Sequence, residues 1–310
     1  MKLSFVIPCY RSERTIEGVV SEIRAAVALR AGVDFEVVMV CDHSPDGVYA
    51  VVERMCADDP IHLKGFDLAR NFGQHAALMA GYAHVSGEYV ISLDDDGQAP
   101  VESAWEMVDK LLADGLDAVY GAYAVKQHGA FRNFGSRVND LMTEWLLGKP
   151  ADLKISSFYV TRRFVIDSMV AYKGPYPYLY GLLFRVTKKL GNVDVAHRAR
   201  AEGASGYTFA KLLGLWINGF TAFSVKPLRL ASFIGAGCSV CGFAYGIVTV
   251  VHKLLRPDTP MGYSSLMSVM LFMGGIIMLI LGLIGEYLGR IYICINQSPQ
   301  YVITRETAHV

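Results

Sequence analysis

From Leu230 to Val251 the chain carries no Asp, Glu, Lys or Arg, and from Ser265 to Gly285 it carries none again. Each run reaches the roughly 20 residues at which an α-helix crosses the hydrocarbon of a bilayer. The stretch between them, His252 to Ser264, holds Lys253, Arg256, Pro257, Asp258 and Pro260. Two apolar runs around a short polar loop predict a transmembrane hairpin with spans at 230–251 and 265–287. Hydrophobic residues make up 53 % of the chain, and the excess sits in this last third. Cys238 and Cys241 lie inside the first run and read as small lipid-phase residues. Glu286 and Arg290 are four apart and can pair on one helix face. Lys226 and Arg229 precede the first span and Arg290 follows the second, but the loop has its own Lys253 and Arg256. The positive-inside rule therefore does not orient the hairpin. Orientation rests on the N-terminus, where the apolar stretch is too short for a signal peptide and stops at Pro8. The first domain and the tail are expected on the cytoplasmic side.

Upstream of the hairpin the chain alternates strands and helices. Leu3–Ile7, Phe35–Cys41, Ile61–Leu68, Glu88–Leu93, Asp117–Ala122, Ile155–Val160 and Val193–Arg200 read as strands. Helices are expected near 13–29, 48–56, 76–85, 99–115, 138–147 and 163–171, the first with Ile16, Val19, Val20, Ile23 and Val27 at helical spacing. Alternation of this kind predicts an α/β domain with a mostly parallel, Rossmann-like sheet. Tyr207–Phe220, apolar and aromatic with a single lysine, reads as an interfacial helix. The organisation expected is a first domain over 1–204, interfacial helices over 205–229, the hairpin over 230–289 and a tail over 290–310. Within the tail, Gln297–Ile303 reads as a turn and short strand returning to a protein surface.

Open α/β sheets bind ligands beyond the carboxyl ends of their strands. Three polar groups fall at such ends: Pro8-Cys9-Tyr10, Asp42, and Asp94-Asp95-Asp96. Asp94 and Asp96 share a face if the strand conformation persists through them. Carboxylates with the amide oxygen of Gln98 suit a hard cation, Mg²⁺ or Mn²⁺, of the kind that accompanies nucleotide phosphates. An ordinary acidic turn is the alternative for the cluster taken alone. No Gly-x-Gly-x-x-Gly or Walker lysine motif occurs, which weakens dinucleotide and P-loop readings. A formal net charge of zero gives no reason to expect nucleic acid. The six cysteines have no zinc spacing. Arg132, Arg137 and Arg200 are candidate phosphate ligands, since guanidinium matches phosphate oxygens in pairs. A phosphate cleft tethered beside a bilayer suggests group transfer from a soluble nucleotide to a lipid.

The motifs Val6-Ile7-Pro8-Cys9-Tyr10, Asp42-x-Ser44-x-Asp46, Ala69-Arg70-Asn71-Phe72-Gly73, Asp94-Asp95-Asp96-Gly97-Gln98, Arg200-x-x-Gly203-x-Ser205-x-Tyr207, Pro227-Leu228-Arg229 and Gly285-Glu286-Tyr287-Leu288-Gly289-Arg290-Ile291-Tyr292 run almost the length of the chain. In these it resembles family 2 glycosyltransferases of the GT-A fold, in the polyisoprenyl-phosphate branch of the GtrB, ArnC and dolichol-phosphate mannose synthase type. The resemblance implies that Pro8, Tyr10, Glu13 and Asp42 hold the nucleotide base and ribose, with Asp94 and Asp95 lining the same pocket. It implies that Asp96 and Gln98 bind the divalent metal. It implies that Arg132 and Ser136 hold the acceptor phosphate and that Arg200 approaches the phosphates. The implied reaction is inverting transfer of a sugar from a nucleotide-diphosphate sugar, expected to be a UDP-sugar, to undecaprenyl phosphate on the inner-membrane face. Its product would serve cell-envelope glycan or lipopolysaccharide modification, and relatives suggest a homo-oligomer such as a tetramer. A phosphate monoester is already anionic at pH 7, so no strong general base is needed. His43 and His75 are expected as structural or cleft-lining residues.

Several positions depart from the pattern. Cys41 and His43 flank Asp42 where an acid and a glycine are usual, and Arg11-Ser12 replaces an Asn-Glu pair. Tyr123 and Gly206 stand where many relatives carry basic residues; Lys126 is a candidate substitute. These losses motivate a second expectation, a catalytically impaired binding or assembly subunit of the same fold. Processive polysaccharide synthesis is disfavoured by the lack of a Gln-x-x-Arg-Trp motif and of a multi-span channel. The local motifs do not select the sugar.

Overall fold

The computed structural model describes residues 1–123, 144, 149–150, 152–196, 226–255, 262–296 and 298–307. Arg132, Ser136, Arg137, Arg200, Lys126, Gly206, most of the expected 138–147 helix and the Tyr207–Phe220 helix lie outside the described residues. The chain divides into two compact units, Met1–Leu212 with Gln297–Val310, and Leu213–Asn296.

The first unit is built on an eight-stranded sheet. Its strands are β1 (Lys2–Cys9), β2 (Asp34–Cys41), β3 (Leu63–Leu68), β4 (Tyr89–Ser92), β5 (Ala118–Tyr123), β6 (Tyr159–Arg162), β7 (Leu190–Val195) and β8 (Ile303–Glu306), in the order β7-β5-β6-β4-β1-β2-β3-β8. β4, β1, β2 and β3 are parallel neighbours, as are β5 and β7. β6 runs antiparallel to both β4 and β5, and β8 antiparallel to β3. Seven residues of β1 and six of β2 are buried in unbroken runs. That pattern belongs to a parallel sheet covered on both faces.

The covering helices are α1 (Ile16–Ala28), α2 (Val48–Asp58), α3 (Gln74–Tyr82), α4 (Ala104–Ala113, after a 3₁₀ turn at Val101–Ser103), α5 (Arg163–Val170) and α6 (Leu179–Val186). α1 buries Ile16, Val19, Val20, Ile23, Ala26 and Val27, the stripe read from the sequence. α3 presses so close to β1 that a Cβ on Gly81 would sit 2.4 Å from Val6 Cγ1. The most deeply buried carboxylate of the sheet is Glu36. The Glu36 carboxylate, 1 % exposed, accepts from Ser4 Oγ at 2.6 Å, Lys64 Nζ at 2.7 Å, Ser86 Oγ at 2.9 Å and the Ser86 amide. Burial alone would raise its pKa; the Lys64 contact and the other hydrogen bonds outweigh this and hold it at about 2.

Three elements differ from expectation. β6 is displaced from 155–160 to 159–162 and inserts antiparallel between β4 and β5, a placement that strand periodicity does not encode. β7 starts at Leu190 rather than Val193. α6 follows the Gly174–Tyr178 loop unannounced, because Gly181 interrupts a short apolar run whose Leu179, Leu182, Leu183 and Phe184 are buried. The tail forms β8, where Arg305 pairs with Asp67; just beyond it the Thr307 amide donates to the Gly65 carbonyl, and the Gly65 amide donates to Thr307 Oγ1.

Among the described residues the second unit holds two long helices, α7 (Lys226–Leu255) and α8 (Tyr263–Ile295). Pro227 falls in the first turn of α7, where its missing N–H costs nothing. Phe272–Ile295 in α8 is long and apolar enough to cross a membrane, with mean hydropathy 1.8 and no buried residue among those described; Gly235–Val248 in α7 is a shorter apolar stretch.

Candidate functional site

β4, β1 and β2 lie side by side and parallel, so Ser92, Cys9 and Cys41 deliver the following residues to one sheet edge. The backbone there is held in unusual conformations. Arg11 (φ 58°) and His43 (φ 49°) are left-handed, the only non-glycine residues so placed among those described. Such strain costs about 1–3 kcal/mol each and persists where the surroundings over-determine it.

Asp42 is buried, and its two carboxylate oxygens accept from the amides of Phe72 (2.7 Å) and Gly73 (2.8 Å). Burial raises its pKa, against the pull of these two N–H groups and of His43. The Asn71 side chain also donates to the Asp42 carbonyl at 3.3 Å. The Ala69–Gly73 motif is therefore the cradle of Asp42. Next to it, the turn after β1 is laced to the turn after β2. Arg11 N donates to Ser44 Oγ (2.8 Å), Ser44 Oγ to Asp46 (2.5 Å), Glu13 N to Asp46 (3.1 Å) and Gly47 N to Glu13 (3.0 Å). Pro8 is in β1, paired with Val40, and the Tyr10 ring is 44 % exposed at the rim.

The acidic cluster does not continue the strand. β4 ends at Ser92, and the three carboxylates diverge over a turn that Gly97 closes at φ 71°. Asp94 accepts from Gln74 Nε2 at 2.7 Å and Ser157 Oγ at 2.5 Å. Asp95 accepts from the Tyr10 amide at 2.8 Å, while its carbonyl accepts from Thr15 Oγ1 at 2.6 Å. Burial pushes the Asp95 carboxyl up to about 6, opposed by the Tyr10 amide and reinforced by the charge of Asp94. Asp96 accepts from the Gln98 amide at 3.1 Å. Tyr123, at the end of β5, is pushed up to about 12 by burial and by the charges of Asp94 and Asp96. At neutral pH it offers a neutral hydroxyl beside the cluster.

The structure thus gathers Pro8, Tyr10, Glu13, Asp42, Asp94, Asp95, Asp96 and Gln98 at one edge. Gln74 and Ser157, which fix Asp94, were not anticipated. Gln74 directly follows the Ala69–Gly73 motif, a signal that was available; Ser157 had none. His75 is neutral, its pKa lowered by burial, with Nδ1 3.2 Å from the Pro177 carbonyl.

The chemistry of the donor set fits a hard divalent cation. Asp96 and Gln98 supply carboxylate and amide oxygens from one open turn, where a Cβ on Gly97 would meet nothing within 4 Å. Among the described residues no three His, Cys, Asp or Glu gather into a metal cage. A cation held here would complete its shell with phosphate oxygens and water, as Mg²⁺ does at nucleotide sites.

Residues 4–173 match the model of glycosyl transferase family 2, and residues 226–291 match the GtrB C-terminal hairpin. The chain is 32 % identical to an uncharacterized glycosyltransferase, YkcC, of Bacillus subtilis, over 98 % of this chain and 94 % of that protein. It is 30 % identical to the undecaprenyl-phosphate 4-deoxy-4-formamido-L-arabinose transferase of Shewanella sediminis, over 97 % and 91 %. It is also 30 % identical to the SfII prophage-derived bactoprenol glucosyl transferase of Shigella flexneri, over 98 % of each. Among solved structures, mannosyl-3-phosphoglycerate synthase from Rubrobacter xylanophilus superposes with a TM-score of 0.51 at 15 % identity, covering 74 % of this chain and 75 % of that one. At that identity the likeness speaks to the fold.

Proposed function

Because the chain belongs to glycosyl transferase family 2 and is a glycosyltransferase, we propose that it transfers a sugar, with inversion, from a nucleotide-diphosphate sugar to a polyprenyl phosphate. The donor we favour is a UDP-sugar and the acceptor undecaprenyl phosphate. The reading is carried by one observation: the fixed carboxylate of Asp42 and the Asp94–Gln98 turn share a sheet edge in a chain that also matches the GtrB hairpin. The names of the bactoprenol and undecaprenyl-phosphate transferases support the acceptor class.

On this reading Asp42, Glu13 and Pro8 hold base and ribose, and the exposed Tyr10 ring offers a stacking face. Asp95 fixes the Tyr10 backbone. Asp94, with both oxygens engaged by Gln74 and Ser157, orients the donor rather than the metal. Asp96 and Gln98 hold Mg²⁺ or Mn²⁺, which when bound neutralises charge building on the leaving diphosphate. Arg132 and Ser136 hold the acceptor phosphate, and Arg200 approaches the phosphates. The anionic acceptor oxygen attacks directly. The first domain (1–204) and tail (290–310) are cytoplasmic, 205–229 lies in the interface, and 230–289 forms a two-span hairpin in the inner membrane, within a homo-oligomer. The product feeds cell-envelope glycan or lipopolysaccharide modification.

Asp96→Ala is expected to lower transfer of radiolabelled sugar into the lipid phase roughly 10²- to 10³-fold, the scale of losing a transition-state electrostatic partner, at unchanged thermal stability. Tyr123, a neutral phenol where many relatives carry a cation, favours the second reading of an impaired subunit. Wild-type label staying in the aqueous phase across a panel of donors, with Asp96→Ala indistinguishable from it, would establish that reading instead.

A further inference from the structure

The tail holds both supports of the donor pocket at once. Gln300 Nε2 donates to the carbonyls of Tyr172 (2.8 Å) and Gly174 (2.7 Å), closing the Gly174–Tyr178 loop onto the tail. At the other end of that loop, the Pro177 carbonyl meets His75 Nδ1 at 3.2 Å, and the Tyr178 ring packs on the His75 ring with centroids 5.4 Å apart. His75 neighbours Gln74 at the start of α3, and Gln74 donates to Asp94. Two residues beyond Gln300, the Val302 carbonyl accepts from Ala69 N at 2.8 Å. Ala69 opens the motif whose Phe72 and Gly73 amides hold Asp42. Thr304 Oγ1 and Arg305 add contacts to Asp67, just upstream.

We infer that Gln300 is a positioning residue for the nucleotide pocket, acting through the 172–178 loop on Gln74–Asp94 while the adjoining strand β8 steadies the Asp42 cradle. The contacts run from the tail to Tyr172, Gly174, Ala69 and Asp67, and through them to Asp94 and Asp42. Their effect is preorganisation: a pocket whose competent arrangement is only partly populated binds its ligand weaker by that fraction. The inference rests on the proposed reading that this cleft takes the nucleotide donor.

The test uses the full-length protein in lipid nanodiscs with Mn²⁺. Gln300→Ala is expected to weaken UDP binding and raise the donor KM roughly tenfold, as the loss of two hydrogen bonds allows. The acceptor KM and kcat should stay within twofold, and amides at 74–76 and 172–179 should exchange faster. Equal losses on donor and acceptor, or donor affinity within twofold of wild type, would overturn the inference. Arg305→Ala, at a side chain 60 % exposed, is the second variant should Gln300→Ala fail to fold. It should raise the donor KM roughly threefold, and no change there overturns the inference equally. If wild type binds no nucleotide, the proposed function fails. The positioning claim is then read from exchange at 74–76, where unchanged rates in Gln300→Ala refute it.

Discussion

Strand β2 and helix α8 are both rich in aliphatic side chains and dispose of them in opposite ways. In β2, Val37 through Cys41 are all fully buried. In α8, Leu266, Val269, Met270, Phe272, Ile277 and Met278 stand exposed along the helix. α1 sharpens the contrast, since its apolar residues form one stripe while those of α8 do not. A helix apolar all round is one that water does not solvate. Each Å² of apolar surface that such a helix leaves in water costs about 25 cal/mol. The sheet generates its own apolar interior, whereas α8 has the length and composition of a helix that crosses a membrane.

The sharpest way to break this comparison is to disturb charge in each region. In the sheet, Glu36→Ala should cost about 3–5 kcal/mol by leaving Lys64 without its buried partner, read from urea unfolding in detergent. A loss below about 1 kcal/mol would mean that the network is not what fixes β1, β2 and β3. In the helix, Leu281→Lys places a cation at a 56 % exposed position. It should cost about 2.5–3.5 kcal/mol if that position meets lipid. If it meets water the cost should stay within about 0.5 kcal/mol. The fraction of chains resisting alkaline extraction from membranes separates these outcomes.

A smaller effect comes from titration. The Glu36 pKa falls from its ordinary 4.5 to about 2 on folding. Its stabilisation is therefore fully present above pH 4.5 and is lost as pH falls through about 2. That should amount to about 2–3 kcal/mol, and Glu36→Gln should flatten the pH dependence of the unfolding midpoint in that window. Smallest of all, Arg24→Ala removes an exposed pair with Asp59. It should change stability by no more than about 1 kcal/mol, and less in high salt.

The sequence made some of this plain for simple reasons. Charge-free runs at 230–251 and 265–285 and the buried stripe of α1 are one-dimensional patterns. An apolar run stopped by Asp94-Asp95-Asp96 had to reach an edge, since unpaired charge cannot continue into a core. What stayed hidden is what depends on pairing. Asp94 and Asp96 suggested a shared strand face, but β4 stops at Ser92, and the carboxylates separate to Gln74 and Ser157, to Tyr10, and to Gln98. The antiparallel entry of β6 is set by partners on β4 and β5, and Ser157 reaches Asp94 only because of it. The roles expected of Arg132, Ser136 and Arg200 concern residues outside those described and stay proposals.

The pairing of Thr307 with Gly65 joins residues 242 positions apart. A ribosome making this chain emits both long helices before β8 exists. Until then β3 is an open edge, with unpaired backbone available to any passing strand. Contacts of such separation form late and slowly. Closure of the sheet is therefore postponed until the hairpin has emerged. A partly made chain carries an unfinished sheet, and a translational pause within the hairpin lengthens the interval in which it can aggregate.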